Sequence, residues 1–323
     1  MRTSVLSLSA AVLALVAGCS DTGGPAAGGA EPYKITYVQG MAGNPFFTSL
    51  TCGAQERAKE LGVQFDAQGG KDYSPQSQTP ILNGVIAQKP DAIVISPMAG
   101  EAMVPALSKA KAAGIKLVFA DSVADDATLA VSQIASDNYA GGVLAAQTLA
   151  KQVGEKGKVM VMGAKPGIST TDARQKGFED EIGKHAGITY LGPQYSESQP
   201  ATATSKFAAV FAANSDLAGV FAVSTQEVEG VATGVQNASK SGAVHIVGFD
   251  TSDPILDDVR NGVVESLIVQ QPLQMGVDAV TQAVAALKGE TTTPKISTPF
   301  VVLTKDNMTQ PDVAKFIYKT TCD

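Results

Sequence analysis

The chain has 323 residues, with 24 Lys and Arg against 31 Asp and Glu and a formal charge of −7, long enough for two modest cores. Its 44% hydrophobic and 17% charged residues exclude wholesale disorder, and an acidic chain with no basic run interleaved by aromatics excludes nucleic acid as a partner. His185 and His245 have no cysteine near them, so zinc-ligand spacing is missing and no cofactor is expected.

Arg2 precedes an apolar run from Val5 to Val16 that ends in Val16-Ala17-Gly18-Cys19. A bilayer span needs roughly 20 such residues, so the run reads as a signal peptide over residues 1–18. Its end resembles a bacterial lipobox, in which a Cys after small residues is acylated and becomes the mature N-terminus. That resemblance implies a lipid anchor at Cys19 on the outer face of the cytoplasmic membrane. The Gly- and Ala-rich stretch after it reads as a flexible tether, over residues 19–32. Cys52 and Cys322 then remain in an exported, oxidising context. Two such thiols favour one Cys52–Cys322 disulfide, with two unpaired buried thiols as the alternative because sequence does not report the distance between them.

From Tyr33 onward, short β-branched runs alternate with longer segments of helical period. Strands are expected at Lys34–Val38, Asp91–Ser96, Lys116–Ala120, Lys158–Met162, Gly219–Val223, His245–Phe249, Ser266–Val269 and Phe300–Leu303. The runs are apolar throughout, as parallel strands covered on both faces require. The first helix is the clearest: Asn44 can cap it, Pro45 suits its first position and Gly62 stands where a left-handed stop belongs. Phe47, Leu50, Ala54, Ala58 and Leu61 form its buried stripe. Similar stripes occupy Tyr139–Val153, Thr170–Lys184, Gln226–Ser239 and Pro272–Leu287. Such alternation implies α/β architecture: two Rossmann-like lobes with doubly wound parallel sheets, divided near Ser136, where Ile134-Ala135-Ser136-Asp137-Asn138 interrupts the alternation. A short helix is expected from Pro311 to Lys319.

In such sheets ligands sit beyond the carboxyl ends of the strands. The residues there include Asn44, Phe46, Phe47, Asp121, Ser224, Asp250 and Gln270. A carboxylate at a cleft mouth accepts two hydrogen bonds from neighbouring hydroxyls, and an exposed ring can cover the C–H face of a sugar. The set lacks a nucleophile paired with a general base, and GxGxxG and Gly-Lys-Ser/Thr are absent, so neither an enzyme nor a dinucleotide site is expected.

The motifs Asn44-Pro45-Phe46-Phe47, Lys89-Pro90-Asp91-Ala92-Ile93, Ile134-Ala135-Ser136-Asp137-Asn138, Arg174 with Gly177-Phe178, Val247-Gly248-Phe249-Asp250 and Gln270 before Pro272 resemble, in the same order, type I periplasmic sugar-binding proteins of the ribose-binding kind. The resemblance implies two lobes, 33–136 plus 271–298 and 137–270 plus 299–304, with 305–323 as an extension. It further implies binding by Asn44, Phe46, Phe47 and Asp121 from the first lobe, by Asp250 from the second and by Gln270 at the hinge, and Asp172, Arg174 and Ser224 are expected to join them from the second lobe. Four positions depart from that pattern: Ser122 and Asp172 stand in place of Arg residues, Ser198 roughly in place of a stacking Phe, and Ser224 in place of an Asn.

The expected function is that of a monomeric receptor delivering a small neutral ligand to the permease and ATPase subunits of an ABC importer. A ligand-binding subunit for a membrane sensor is the alternative. With aromatics expected from one lobe only, and three carboxylates beside Gln270 and Asn44, the cleft suits a four- or five-carbon sugar alcohol, with a pentose or hexose next.

Overall fold

The structure, a computed structural model, describes residues 31–322. The signal peptide, the acylation site Cys19 and the tether up to Ala30 lie outside the described residues. The chain runs through β1 (Lys34–Gln39), α1 (Pro45–Leu61), β2 (Gln64–Gly69), α2 (Pro75–Gln88), β3 (Ala92–Ile95), α3 (Gly100–Ala112), β4 (Lys116–Ala120), β5 (Ser132–Ser136) and α4 (Asn138–Gln152). It continues as β6 (Gly157–Gly163), α5 (Ser169–Ile182), β7 (Ile188–Tyr195), α6 (Pro200–Ala213), β8 (Leu217–Ala222), α7 (Thr225–Asn237), β9 (His245–Phe249), α8 (Asp253–Arg260) and β10 (Ser266–Val269). Last come α9 (Pro272–Leu287), β11 (Lys295–Thr298), β12 (Val301–Thr304) and α10 (Pro311–Ala314).

Two sheets result, in the orders β11-β5-β4-β3-β1-β2 and β12-β10-β9-β8-β6-β7. All neighbours pair in parallel except β12, which runs antiparallel to β10. Helices cover both faces, as parallel crossovers require. Three connections join the sheets: β5 to α4, β10 to α9 and β11 to β12. The strands that are apolar throughout lie inside the sheets, and β3 and β10 are buried at every residue. Edge strands β2, β7 and β11 are half-exposed, so their sequences carry no continuous apolar run.

Local rules set the first helix. Asn44 Oδ1 accepts from Phe46 N at 2.9 Å, Pro45 opens the helix, and Gly62 closes it at φ 66°. Two expectations need correction. Ile134–Ser136 does not interrupt the alternation; it completes β5, whose burial alternates because one face is less covered. The helix expected over Pro311–Lys319 is one turn ending at Ala314, and the chain beyond it turns to bury Phe316 and Tyr318.

Each lobe is closed by a helix pair in which glycines face the partner's backbone. On α1 and α9, a Cβ at Gly53 would meet Leu273 O at 1.9 Å, and one at Gly276 would meet Leu50 O at 2.0 Å. On α4 and α5 the same reciprocity holds for Gly142 against Arg174 O at 1.9 Å and Gly177 against Tyr139 O at 2.1 Å. Backbone cannot step aside as a side chain can, so Gly276→Ala should lower unfolding stability by about 1–3 kcal/mol. Gly84, inside α2 with nothing within 4 Å of the added Cβ, should respond oppositely, with Gly84→Ala gaining about 0.5–1 kcal/mol. Urea denaturation of the two variants checks the pair, and an unchanged midpoint for Gly276→Ala contradicts the packing account.

Candidate functional site

Strands β4 and β9 end in aspartates that turn the same way. Asp121 and Asp250 both have φ of 72°, a left-handed conformation that Asp adopts more readily than most residues. The turn sets each carboxylate over the carboxyl end of its sheet, in the cleft between the lobes, where Asp121 is 4% exposed and Asp250 6%. The two are wired differently. Asp250 Oδ1 accepts from Gln270 Nε2 at 2.8 Å and from Tyr318 Oη at 2.6 Å. Among the described residues, no protein group donates a hydrogen bond to the Asp121 carboxylate. Burial pushes its carboxyl up to about 7, the Arg174 guanidinium pulls it down and the Asp250 charge adds to the rise.

Arg174, on α5, faces both. Its Nη1 lies 3.5 Å from Asp250 Oδ2. Nε donates to Asn138 Oδ1 at 2.8 Å and Nη1 to Val223 O at 2.9 Å, while the guanidinium stacks 3.7 Å from the centre of the Phe249 ring. The cation is thus immobilised beneath the cleft instead of swinging freely in it.

Gln270 follows β10 at a crossing between lobes. Its Nε2 is committed to Asp250, which fixes the amide orientation, and its Oε1 is buried with no hydrogen-bond partner in the protein. A buried acceptor left unpaired is costly, and this one lines the cleft. A hydroxyl donor placed there would satisfy it.

The aromatic wall comes from the first lobe alone. Phe46 and Phe47 meet edge to face at 5.2 Å between ring centres, and Tyr73 lies 5.9 Å from Phe47. Tyr73 was not among the sequence candidates. It follows β2, an edge strand without an apolar run, so nothing in the sequence marked it as a strand-end residue. Opposite the rings stand Thr170, Thr171, Ser198, Ser224 and Thr225. Asn44 Nδ2 reaches across to Thr225 Oγ1 at 3.5 Å, so the lobes touch over the cleft.

The structure brings Asn44, Phe46, Phe47, Asp121, Arg174, Ser224, Asp250 and Gln270 to this cleft. Asp172 belongs elsewhere. Its carboxylate accepts from Gly167 N at 2.8 Å, tying down the loop before α5, and it faces solvent. An acid in the first turn of a helix is drawn to free N–H groups, which is why residue type alone misassigned it. Ser122 Oγ donates to Pro97 O, and Tyr195 hydroxyl accepts from Gln175, both outside the cleft lining. Sequence reasoning also missed Glu227, fully buried on α7, whose carboxylate accepts from Ser196 and Ser224 and whose pKa burial pushes up. It holds the Ser224 hydroxyl in place. Among the described residues no group of three metal-ligating side chains converges.

Two lobes meeting over a cleft of carboxylate, amide, hydroxyl and aromatic groups are the build of a solute-binding receptor. The chain belongs to the periplasmic binding protein family, whose domain description matches residues 35–291. It is 31% identical to the ribose import binding protein of Haemophilus influenzae, covering 81% of this chain and 88% of that one. With the D-apiose import binding protein of Actinobacillus succinogenes it shares 28% identity, over 74% of this chain and 77% of the other. Among solved structures, an ABC transporter solute-binding protein from Agrobacterium vitis, bound with α-D-tagatopyranose, superposes with a TM-score of 0.87 at 40% identity, over 89% of this chain and 99% of that one. One from Agrobacterium radiobacter in complex with D-arabinose does so at 0.84 and 29%, over 88% and 99%.

If Asp121 receives a ligand hydroxyl, its raised carboxyl makes binding pH-dependent. Hydroxyl donors favour its carboxylate, so a sugar that binds there must displace a proton when the pH is below about 7. Affinity should therefore be flat above about pH 8 and fall toward pH 5.5, by at most about tenfold per unit. Calorimetric titrations of a binding monosaccharide across that range check it. Asp121→Asn should flatten the profile, and an affinity that rises toward acid contradicts the assignment.

Proposed function

We infer that this chain is the solute-binding receptor of an ABC importer, closing its two lobes on a small neutral monosaccharide and presenting the closed form to the membrane permease. The pairing of two unsatisfied acceptors carries the reading: the buried Asp121 carboxylate and the buried Gln270 Oε1 face one cleft and both await hydroxyl donors. The ring wall of Phe46, Phe47 and Tyr73 offers a surface for C–H groups beside them. An anionic sugar is disfavoured, because Arg174 is already engaged by Asn138, Val223 and Asp250, which leaves Asp121 to repel it. The pyranose and pentose held by the structural neighbours favour a ring sugar of five or six carbons.

A second reading, the sugar alcohol, rests on one observation: no aromatic side chain of the second lobe lines the cleft, so a ring would be pressed on one face only. In this account the protein is exported and tethered through an acylated Cys19, works as a monomer, and moves as two bodies, 33–136 with 271–298 and 137–270 with 299–304. It takes part in transport and not in catalysis.

Calorimetric titration with D-tagatose, D-arabinose and D-ribose, the last two each against its own alditol, tests the ligand class. Asp121→Ala and Asp250→Ala should each weaken the tightest binder by about 2–3 kcal/mol; the thermal midpoint of the unliganded protein should stay nearly unchanged in Asp121→Ala and fall in Asp250→Ala, which strips Arg174, Gln270 and Tyr318 of their shared acceptor. Tight binding of the alditols alone would transfer the proposal to polyols, and binding of none of the five would overturn it.

A further inference from the structure

The C-terminal segment beyond β12 makes contacts that the transport reading does not use. After α10 the chain buries Phe316 and Tyr318, then reaches Cys322, which is disulfide-bonded to Cys52 in α1. This strap grips both lobes. On the second, Tyr318 N donates to Thr251 Oγ1 at 3.0 Å and Tyr318 Oη donates to Asp250 Oδ1 at 2.6 Å. On the first, the Tyr318 ring meets Phe46 edge to face at 5.6 Å, Lys319 N donates to Ser49 Oγ at 2.6 Å, and the disulfide closes the end. At the crossing between them, Gln270 N donates to Tyr318 Oη at 3.1 Å.

We propose that Tyr318 is a positioning residue of the sugar site, held in place by a disulfide-tied strap, and that it sets which oxygen of Asp250 the sugar meets. The proposal rests on the reading of Asp250 as a ligand-binding carboxylate. Tyr318 itself does not line the cleft; it acts through Asp250 and Phe46. Its hydroxyl has one hydrogen, and because that oxygen accepts from Gln270 N, the hydrogen is directed at Asp250. With Tyr318 and Gln270 both donating to Oδ1, that oxygen has no capacity left for a ligand. The carboxylate is thereby locked about its Cβ–Cγ bond with Oδ2 toward Arg174 and the cleft.

The same bond orients the Gln270 amide through Asp250, so the unpartnered Gln270 Oε1 depends on the strap as well. Only Lys319, Thr320 and Thr321 separate Tyr318 from Cys322. At no more than about 3.6 Å per residue, that leash keeps the hydroxyl beside Asp250 for as long as the disulfide holds α1. Pre-set geometry of this kind lowers what binding must spend on ordering side chains.

The test uses the full chain and the tightest binder among D-tagatose, D-arabinose and D-ribose. Tyr318→Phe keeps the ring packing and removes the hydroxyl, and should weaken affinity about tenfold or more in a protein that still unfolds cooperatively, with a lower unliganded thermal midpoint because Gln270 N loses its acceptor. Cys322→Ser should weaken it severalfold. In an Asp250→Asn background the Tyr318→Phe loss should largely vanish, which a role in folding alone would not produce. A Tyr318→Phe protein that binds as wild type, or a loss of equal size in both backgrounds, overturns the proposal.

If Asp250→Asn binds as wild type, the ligand-binding reading of Asp250 fails first. If Asp250→Asn is weakened and Tyr318→Phe is not, only the strap fails. Amide hydrogen exchange at Gln270 needs no sugar and decides the strap's hold independently. Exchange should accelerate in Tyr318→Phe, and unchanged protection contradicts the hold.

Discussion

Arg174 lies 3% exposed beneath the cleft, with Nη1 3.5 Å from Asp250 Oδ2, and its charge also pulls on Asp121. Burying one carboxylate without a partner is expensive, and burying a second beside it, whose charge adds to the rise of the Asp121 carboxyl, is worse. The guanidinium offsets that cost only if it is itself held, which Asn138, the Val223 carbonyl and the Phe249 ring accomplish. Those three holders come from the start of α4, the end of β8 and the end of β9, so the second lobe must be fully assembled before the charge balance exists. The arrangement leaves Asp121 as the least compensated group, and its carboxyl accordingly stands near 7.

Around this balance the two lobes repeat one construction. In each a central strand ends in an aspartate at φ 72°, and a glycine-matched helix pair packs backbone to backbone beside the sheet. Close helix packing ties the helices of each lobe together, and the three connections between sheets and the strap are what join one lobe to the other. Gln270 stands at one of these connections and is bonded to Asp250 and to Tyr318 at once. If Gln270 Oε1 takes a ligand hydroxyl as proposed, ligand capture and lobe position are linked through one residue, the physical requirement for a receptor whose closed form is selected by its ligand.

The fold was legible where burial is two-sided. Inner strands such as β3, β4, β9 and β10 announce themselves as unbroken apolar runs, because helices cover both faces. Edge strands β2, β7 and β11 do not, and losing β2 meant losing Tyr73, since the rule that ligands meet strand ends works only for strands that are recognised. Asp121, Asp250 and Gln270 were legible for the converse reason, each following a strand that the sequence displays. Asp172 was misread because the sequence gives the residue type and not its direction: in the first turn of α5 its carboxylate is satisfied by Gly167 N. The Cys52–Cys322 disulfide was legible from two cysteines in an exported chain, although 270 residues of intervening chain say nothing of the 5.0 Å Cα separation that the pairing needs. Tyr318, in a tail that local pattern reads only as a short helix, likewise gave no sign that it reaches Asp250 beneath the cleft.

The account turns on which atoms receive the ligand's hydroxyls, and a crystal structure of the protein with the monosaccharide that titrates most tightly tests this most directly. It should show sugar hydroxyls within about 3 Å of an Asp121 oxygen and of Gln270 Oε1, a C–H face against the wall of Phe46, Phe47 and Tyr73, and Tyr318 still bonded to Asp250 Oδ1. A sugar held mainly by the second lobe's hydroxyls, with Asp121 and Gln270 Oε1 left unpaired, would contradict it.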